Sequence, residues 1–139
     1  MKNENDFNRY LSKEFSKRSP ELHYLKASDK FTAGVSDFLL WHAGRSAALE
    51  CKFVSTWPSD KANLLKHTFT GAQKTFLESI TLAHGRGVGL VAVGSEKMFY
   101  VFREAHIPTN GNWKTGDFRA CRYHAYPFKS IDDFVRVWV

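Results

Sequence analysis

Gly34-Val35-Ser36-Asp37 and, after twelve intervening residues, Glu50-Cys51-Lys52 decide how this chain reads. Between them lie Phe38-Leu39-Leu40-Trp41, His42-Ala43-Gly44-Arg45 and Ser46-Ala47-Ala48-Leu49. Two apolar runs around a glycine-containing polar turn predict a β-hairpin. Alternate residues of a strand share a face, so Glu50 and Lys52 point one way and Cys51 the other. The hairpin brings Asp37 alongside Glu50. Two carboxylates and a lysine then converge on one spot. Hard cations such as Mg2+ select carboxylate oxygen, and a lysine beside them can orient a water or stabilise charge on a phosphate.

The rest of the chain sets the frame. Its 139 residues are the size of one domain, and 43% hydrophobic content is enough for a core. No apolar run is long enough to span a membrane, and the start, Met1-Lys2-Asn3-Glu4-Asn5-Asp6, has no signal-peptide core. Cytoplasmic residence, in a bacterium or a phage-infected host, is the expectation. Two cysteines, with Cys51 in a buried strand, point away from a disulfide framework. Twenty Lys and Arg against fourteen acids give a net charge of +6, which favours a polyanionic partner.

A first helix is expected from about Asp6 to Lys17, with Phe7, Tyr10, Leu11 and Phe15 as its apolar stripe. Glu14 falls seven residues after Phe7 and projects from that stripe. A carboxylate aimed at a core must be paired, metal-bound or protonated; otherwise it bends out at the helix end. Ser19-Pro20 ends the helix, and His23 to Ala27 reads as a short strand. Ser46 to Val54 forms the strand carrying Glu50, followed by a polar loop or short helix from Trp57 to His67. Thr70 caps the second helix, and Gln73 completes a capping-box pattern. Gln73 also falls on that helix's apolar face, in line with Leu77 and Ile80, so it has two candidate roles.

Val88 to Val93 and Met98 to Phe102 read as strands. The order is helix, three strands, helix, two strands, which predicts a mixed sheet with helices on its faces. Arg103 to Lys129 is loop-rich, Tyr126-Pro127-Phe128 marks a break, and Ser130 caps a last helix with Ile131, Phe134, Val135 and Trp138 inward. Cys121-Arg122-Tyr123-His124 lacks a second ligand pair for zinc. Gly85-Arg86-Gly87-Val88-Gly89 precedes a strand, so it is not a phosphate loop.

Asp37 with Glu50-Cys51-Lys52 resembles the signature of the PD-(D/E)XK nuclease superfamily, with Ser36 where a proline often stands. The resemblance covers about Phe7 to Phe102. It is greatest to small Holliday junction resolvases of archaeal, phage and RecU-like type, through Gly34-Val35-Ser36-Asp37-Phe38 and Leu65-Lys66-His67-Thr68-Phe69-Thr70-Gly71-Ala72-Gln73. VRR-NUC-type members also carry a glutamine at the place of Gln73. The chain lacks room for the long RecU stalk between its early strands.

The resemblance implies an α/β, restriction-endonuclease-like αβββαβ core, placed here at about residues 6–102 of a single nuclease domain with a C-terminal extension over 103–139. It implies a homodimer that cuts branched DNA, with four-way junctions as substrate and roles in recombination and repair. Asp37, Glu50 and the Cys51 carbonyl would hold Mg2+, which Mn2+ can replace. Glu14 would complete the site, with Glu4 and Asp6 as competitors for that place. Lys52 would act on the water or the transition state, and Gln73 would position the lysine or a phosphate. Lys26, Lys30, Lys61, Lys66, His67 and Lys74 are candidate DNA contacts, or else a solvated basic face. Within the superfamily, flap, repair and restriction-type nucleases are the alternatives. From another class, the alternative is a DNA-binding module that keeps the fold without catalysis.

Overall fold

The structure is a computed structural model that describes residues 1–27, 35–56, 69–103, 107, 126–128 and 130–138. Helix α1 spans Glu4–Ser16. Asn3 caps it by accepting from the Asp6 N–H at 2.9 Å, and Glu4 and Asp6 place negative charge in the first turn, where the helix dipole favours it. Phe7, Leu11 and Phe15 are fully buried along one stripe. Each contributes on the order of 1.5–3 kcal/mol by leaving water.

Strands β1 (Leu22–Lys26), β2 (Phe38–His42) and β3 (Arg45–Val54) form an antiparallel meander. The β2–β3 turn has Ala43 and Gly44 at positive φ, as a tight hairpin connection requires. Helix α2 (Gly71–Leu82) then carries the chain to β4 (Arg86–Val93), which runs parallel to β3. Strands β5 (Met98–Arg103) and β6 (Tyr126–Phe128) complete a six-stranded mixed sheet in the order β1-β2-β3-β4-β5-β6. Helix α3 spans Ile131–Trp138. No helix among the described residues is long and apolar enough to cross a membrane.

Each face of the sheet has its own core. Phe38, Leu40, Leu49, Cys51, Leu90 and Val101 pack with Phe7, Leu11 and Phe15 of α1 and Ile131 and Phe134 of α3. Ala48, Val91, Val93 and Phe102 pack with Leu77 of α2 and with Phe69. β4 is buried on both sides, which explains its unbroken apolar run.

The expected element order is present, with two differences. Tyr126-Pro127-Phe128, read as a break, pairs with β5 as an edge strand; proline is tolerated at an edge, where its missing N–H costs no ladder bond. Helix α1 begins at Glu4 rather than about Asp6, which brings Glu4 into its first turn.

Two glycines let α2 sit where it does. A Cβ on Gly87 would collide with the backbone of Leu77, and one on Gly89 would lie 2.7 Å from the ring of Phe69. The helix and its lead-in residue therefore rest directly on bare stretches of β4, with Gly89 in register with Glu50 of β3.

Candidate active site

The register Phe38↔Leu49 sets Asp37 beside Glu50 at the mouth of the hairpin. Asp37 Oδ2 accepts a hydrogen bond from the Cys51 N–H at 2.8 Å. The main chain of the Glu50 strand thus fixes the carboxylate of its neighbour.

Glu50 is only 3% exposed. Its Oε1 accepts from Gln73 Nε2 at 2.6 Å and lies 3.3 Å from Lys52 Nζ. Its Oε2 is buried with no donor in reach, while the carboxyl as a whole interacts with that of Asp37. Lys52 Nζ is 4.0 Å from Glu4 Oε1 and 5.9 Å from the centre of the Phe69 ring, within cation–π range. Phe69 is buried one residue before the Thr70 cap and roofs the lysine.

Burial in this pocket makes negative charge costly. Desolvation, then the charge of Asp37, pushes the Glu50 carboxyl up to about 8, against the pull of Lys52. Desolvation also raises Asp37, opposed by the Cys51 N–H, Lys52 and Lys26. One ammonium does not offset a buried acid and a half-buried one, so the cluster takes up either a proton on Glu50 or a further cation. Among the described residues no group of three or more His, Cys, Asp or Glu side chains is arranged to hold a metal ion. The oxygen donors at this spot are the paired carboxylates, and hard oxygen ligands of this kind suit Mg2+, which is bound through one or two carboxylates with water completing its shell. The unpartnered Glu50 Oε2 fits that use.

Asp37, Glu50, Lys52 and Gln73 are brought together. Gln73 forms the expected capping box and also faces the cluster, where it bonds Glu50 rather than the lysine it was expected to position. Its Oε1 accepts from the Thr70 N–H at 2.8 Å, and the Thr70 hydroxyl accepts from the Gln73 N–H at 3.1 Å. The capping box leaves the amide nitrogen free to reach Glu50.

Glu14 is not at the cluster. It bonds Lys17 Nζ at 2.8 Å and Arg18 Nη1 at 3.3 Å, and Arg18 continues to Asp132 at 2.6 Å. These partners hold its carboxyl below the usual range, the Lys17 bond foremost. Glu14 sits ten residues, about 15 Å along the axis, from Glu4, the helix acid that does approach Lys52. Asp6 accepts from the Lys2 N–H at 3.0 Å and faces Arg9.

The Cys51 thiol is buried on the opposite sheet face, and burial pushes its pKa well up, so it is no nucleophile. Lys26 is exposed and near enough to act on Asp37. Lys74 follows Gln73 on α2 and is half-buried. Lys30, Lys61, Lys66 and His67 lie outside the described residues, as do Cys121 and His124. The sequence reading missed Phe69 as the roof of Lys52 and Gly87 and Gly89 as the seat of α2. Their signal was the alternation of glycine along a strand, which marks a close approach of other groups.

No family model matches the sequence, and no curated protein does. Among solved structures the chain is similar to Hjc of Archaeoglobus fulgidus, described as a Holliday junction resolvase from an archaeal hyperthermophile. The TM-score is 0.57 at 10% identity, over 84% of this chain and 92% of that one. The chain therefore has an α/β fold with a mixed sheet flanked by helices, of the restriction-endonuclease-like kind seen in that neighbour.

Proposed function

We propose that this protein is a metal-dependent endonuclease selective for branched DNA, acting on four-way junctions as a homodimer. The observation that carries this reading is the buried Glu50 carboxylate, held by Gln73 and Lys52 beside Asp37, with one oxygen left unpartnered. The similarity in fold to a resolvase and the +6 net charge support it.

In this reading Asp37, Glu50 and the Cys51 carbonyl hold Mg2+. The ion, when bound, lowers the pKa of a water and neutralises charge on the scissile phosphate. The chain's own residues do the rest. The Cys51 N–H holds Asp37 in place, and Gln73 fixes the orientation of Glu50. Lys52 presents its ammonium to the attacking water or to the oxygens of the phosphate as charge builds on them. Glu4, 4.0 Å from that lysine, would serve as the first-helix acid in place of Glu14. Lys26 and Lys74 contact backbone phosphates flanking the cut. Two copies supply two sites, one for each strand cut across a junction.

The test is incubation with Mg2+, and separately with EDTA, of labelled four-way junctions, flaps and linear duplexes. Junctions should be cut in Mg2+ and intact in EDTA, and Glu50→Gln should abolish cutting while junction binding survives, since affinity comes mostly from phosphate contacts. A wild-type protein that cuts none of these substrates would remove the enzymatic reading. Preference for flaps or linear duplex would remove the junction.

A further inference from the structure

Lys52 has few polar contacts for a residue that must present its charge to one place. A lysine has a flexible four-carbon stem and three N–H donors to aim. Among the described residues, the acids nearest its Nζ are Glu50 Oε1 at 3.3 Å and Glu4 Oε1 at 4.0 Å. The first is a long hydrogen bond and the second is none. Yet the side chain is only 12% exposed.

Phe69 closes another side. Its ring is buried, and Lys52 Nζ sits over the ring face, 5.9 Å from the centre. The ring is seated from two directions. Its Cζ and Cε1 atoms lie against the bare backbone of Gly89, where a Cβ would come within 2.7 and 3.0 Å of them. Gly89 is in turn the register partner of Glu50. On the chain, Phe69 is followed at once by Thr70, the cap of α2, which is locked to Gln73 by the capping box. The stretch from Phe69 to Gln73 therefore meets both charged groups on β3: Gln73 holds the Glu50 carboxylate and Phe69 faces the Lys52 ammonium. The face of an aromatic ring is negative, and its pull on an ammonium is greatest where water is excluded. A ring face steadies the ammonium while leaving N–H groups to point at a water or a phosphate oxygen.

We propose that Phe69 is the positioning residue for Lys52: its ring face fixes the ammonium beside Glu50, and the absence of a side chain at Gly89 lets the ring lie there. This rests on the nuclease reading and adds what aims its lysine. Phe69 also belongs to the core on the α2 face of the sheet, so packing is the competing account of its burial. Packing depends on the size of the ring, whereas positioning depends on the charge of its face.

The test compares wild type with Phe69→Leu, Gly89→Ala, the double variant, and a chain carrying an ortho-difluorinated phenylalanine at position 69. Those fluorines avoid the ring atoms that face Gly89 and weaken the negative face while nearly keeping the ring's size. Each protein is assayed well below its melting transition. In EDTA, the ε-methylene signal of Lys52 is followed by NMR with isotope-labelled lysine and assigned by its loss in Lys52→Arg. It should be shifted upfield by the ring in wild type, return to the ordinary lysine position in Phe69→Leu, and move partway in Gly89→Ala. With Mg2+ and labelled junctions, Phe69→Leu should lower kcat by roughly tenfold or more with little change in KM. The fluorinated ring should lower kcat several-fold at an unchanged melting temperature. Gly89→Ala should lower kcat alone but add little to Phe69→Leu, because the shorter side chain vacates the space the methyl enters. Cleavage at the wild-type rate with the fluorinated ring would reduce Phe69 to packing and overturn the proposal. An unshifted Lys52 signal in a wild type that cuts junctions would overturn it too, and leave the nuclease reading standing. A Phe69-dependent shift in a wild type that cuts nothing would uphold the positioning and remove the nuclease reading.

Discussion

Gln73 Nε2 lies 2.6 Å from Glu50 Oε1, while Gln73 Oε1 accepts from the backbone N–H of Thr70. One side chain thus closes the start of α2 and orients the buried acid of β3. The two jobs use opposite ends of one amide, so a substitution can separate them. Gln73→Glu keeps the acceptor that the capping box needs and replaces the donor facing Glu50 with another acceptor. Helix content should stay the same and cleavage should fall by at least about tenfold, of the order of one lost charge-assisted hydrogen bond. Gln73→Ala should lose both, costing about 0.5–2 kcal/mol of stability for the cap on top of the same loss of activity. Circular dichroism, melting temperature and specific activity on the same preparations separate these outcomes; unchanged cleavage in Gln73→Glu would reduce the residue to a cap.

The acids at the two ends of α1 should respond oppositely. Glu4→Gln removes a carboxylate 4.0 Å from Lys52 Nζ and should lower cleavage with little change in stability. Glu14→Gln breaks the contacts to Lys17 and Arg18 and loosens the link through Arg18 to Asp132 of α3. It should leave cleavage per folded molecule unchanged and cost no more than about 1 kcal/mol, as partly exposed ion pairs do. Urea titration and initial rates decide between them. A Glu14 variant that loses cleavage at full stability would return that residue to the site.

The triple Asp37, Glu50 and Lys52 was legible because strand alternation and a hairpin turn leave little freedom in where three such residues go. Gln73 was legible for the same reason on a helix, since its cap position fixes its face. Glu14 was misread through the centring of one stripe. Counting Tyr10 as core puts Glu14 in the middle, but the buried apolar set is Phe7, Leu11 and Phe15. About that centre Glu14 sits roughly 60° to one side, where a long side chain can reach Arg18. The seat of α2 on Gly87 and the pairing of His23 with Trp41 depend on register between distant segments, which a single strand's pattern does not carry.

Acidity at the cluster fixes the direction of a pH effect. The Glu50 carboxyl stays protonated in the folded protein up to about 8, while in the unfolded chain it ionises near 4.5. Asp37 is shifted the same way. Between those limits the folded state binds more protons than the unfolded one, so stability present at low pH is lost as pH rises through the window. The loss is on the order of a few kcal/mol, seen as a falling melting temperature in EDTA from about pH 5 to about pH 8. A cation held by the ionised carboxylates reverses the trend, because it stabilises the folded state by mass action. Mg2+ should therefore raise the melting temperature more at about pH 8 than at about pH 5. An equal rise at both would place any bound ion away from Glu50.

Gly87→Ala tests whether the seat of α2 sets the site. The added methyl would collide with the backbone of Leu77, and a helix backbone cannot turn aside as a side chain can. The helix must lift, which costs about 1–3 kcal/mol or more in lost packing. Lifting it draws Gln73 away from Glu50 and Phe69 away from Lys52, although none of the four is altered. Cleavage should therefore fall further than the fraction unfolded explains, when measured well below the melting transition. Gly94→Ala is the control: a Cβ there comes no nearer than 3.2 Å, and to the ring of Phe53 rather than to backbone, so it should cost little in either stability or rate. If Gly87→Ala were destabilised yet cut at the wild-type rate per folded molecule, the position of α2 would matter for the fold and not for the chemistry.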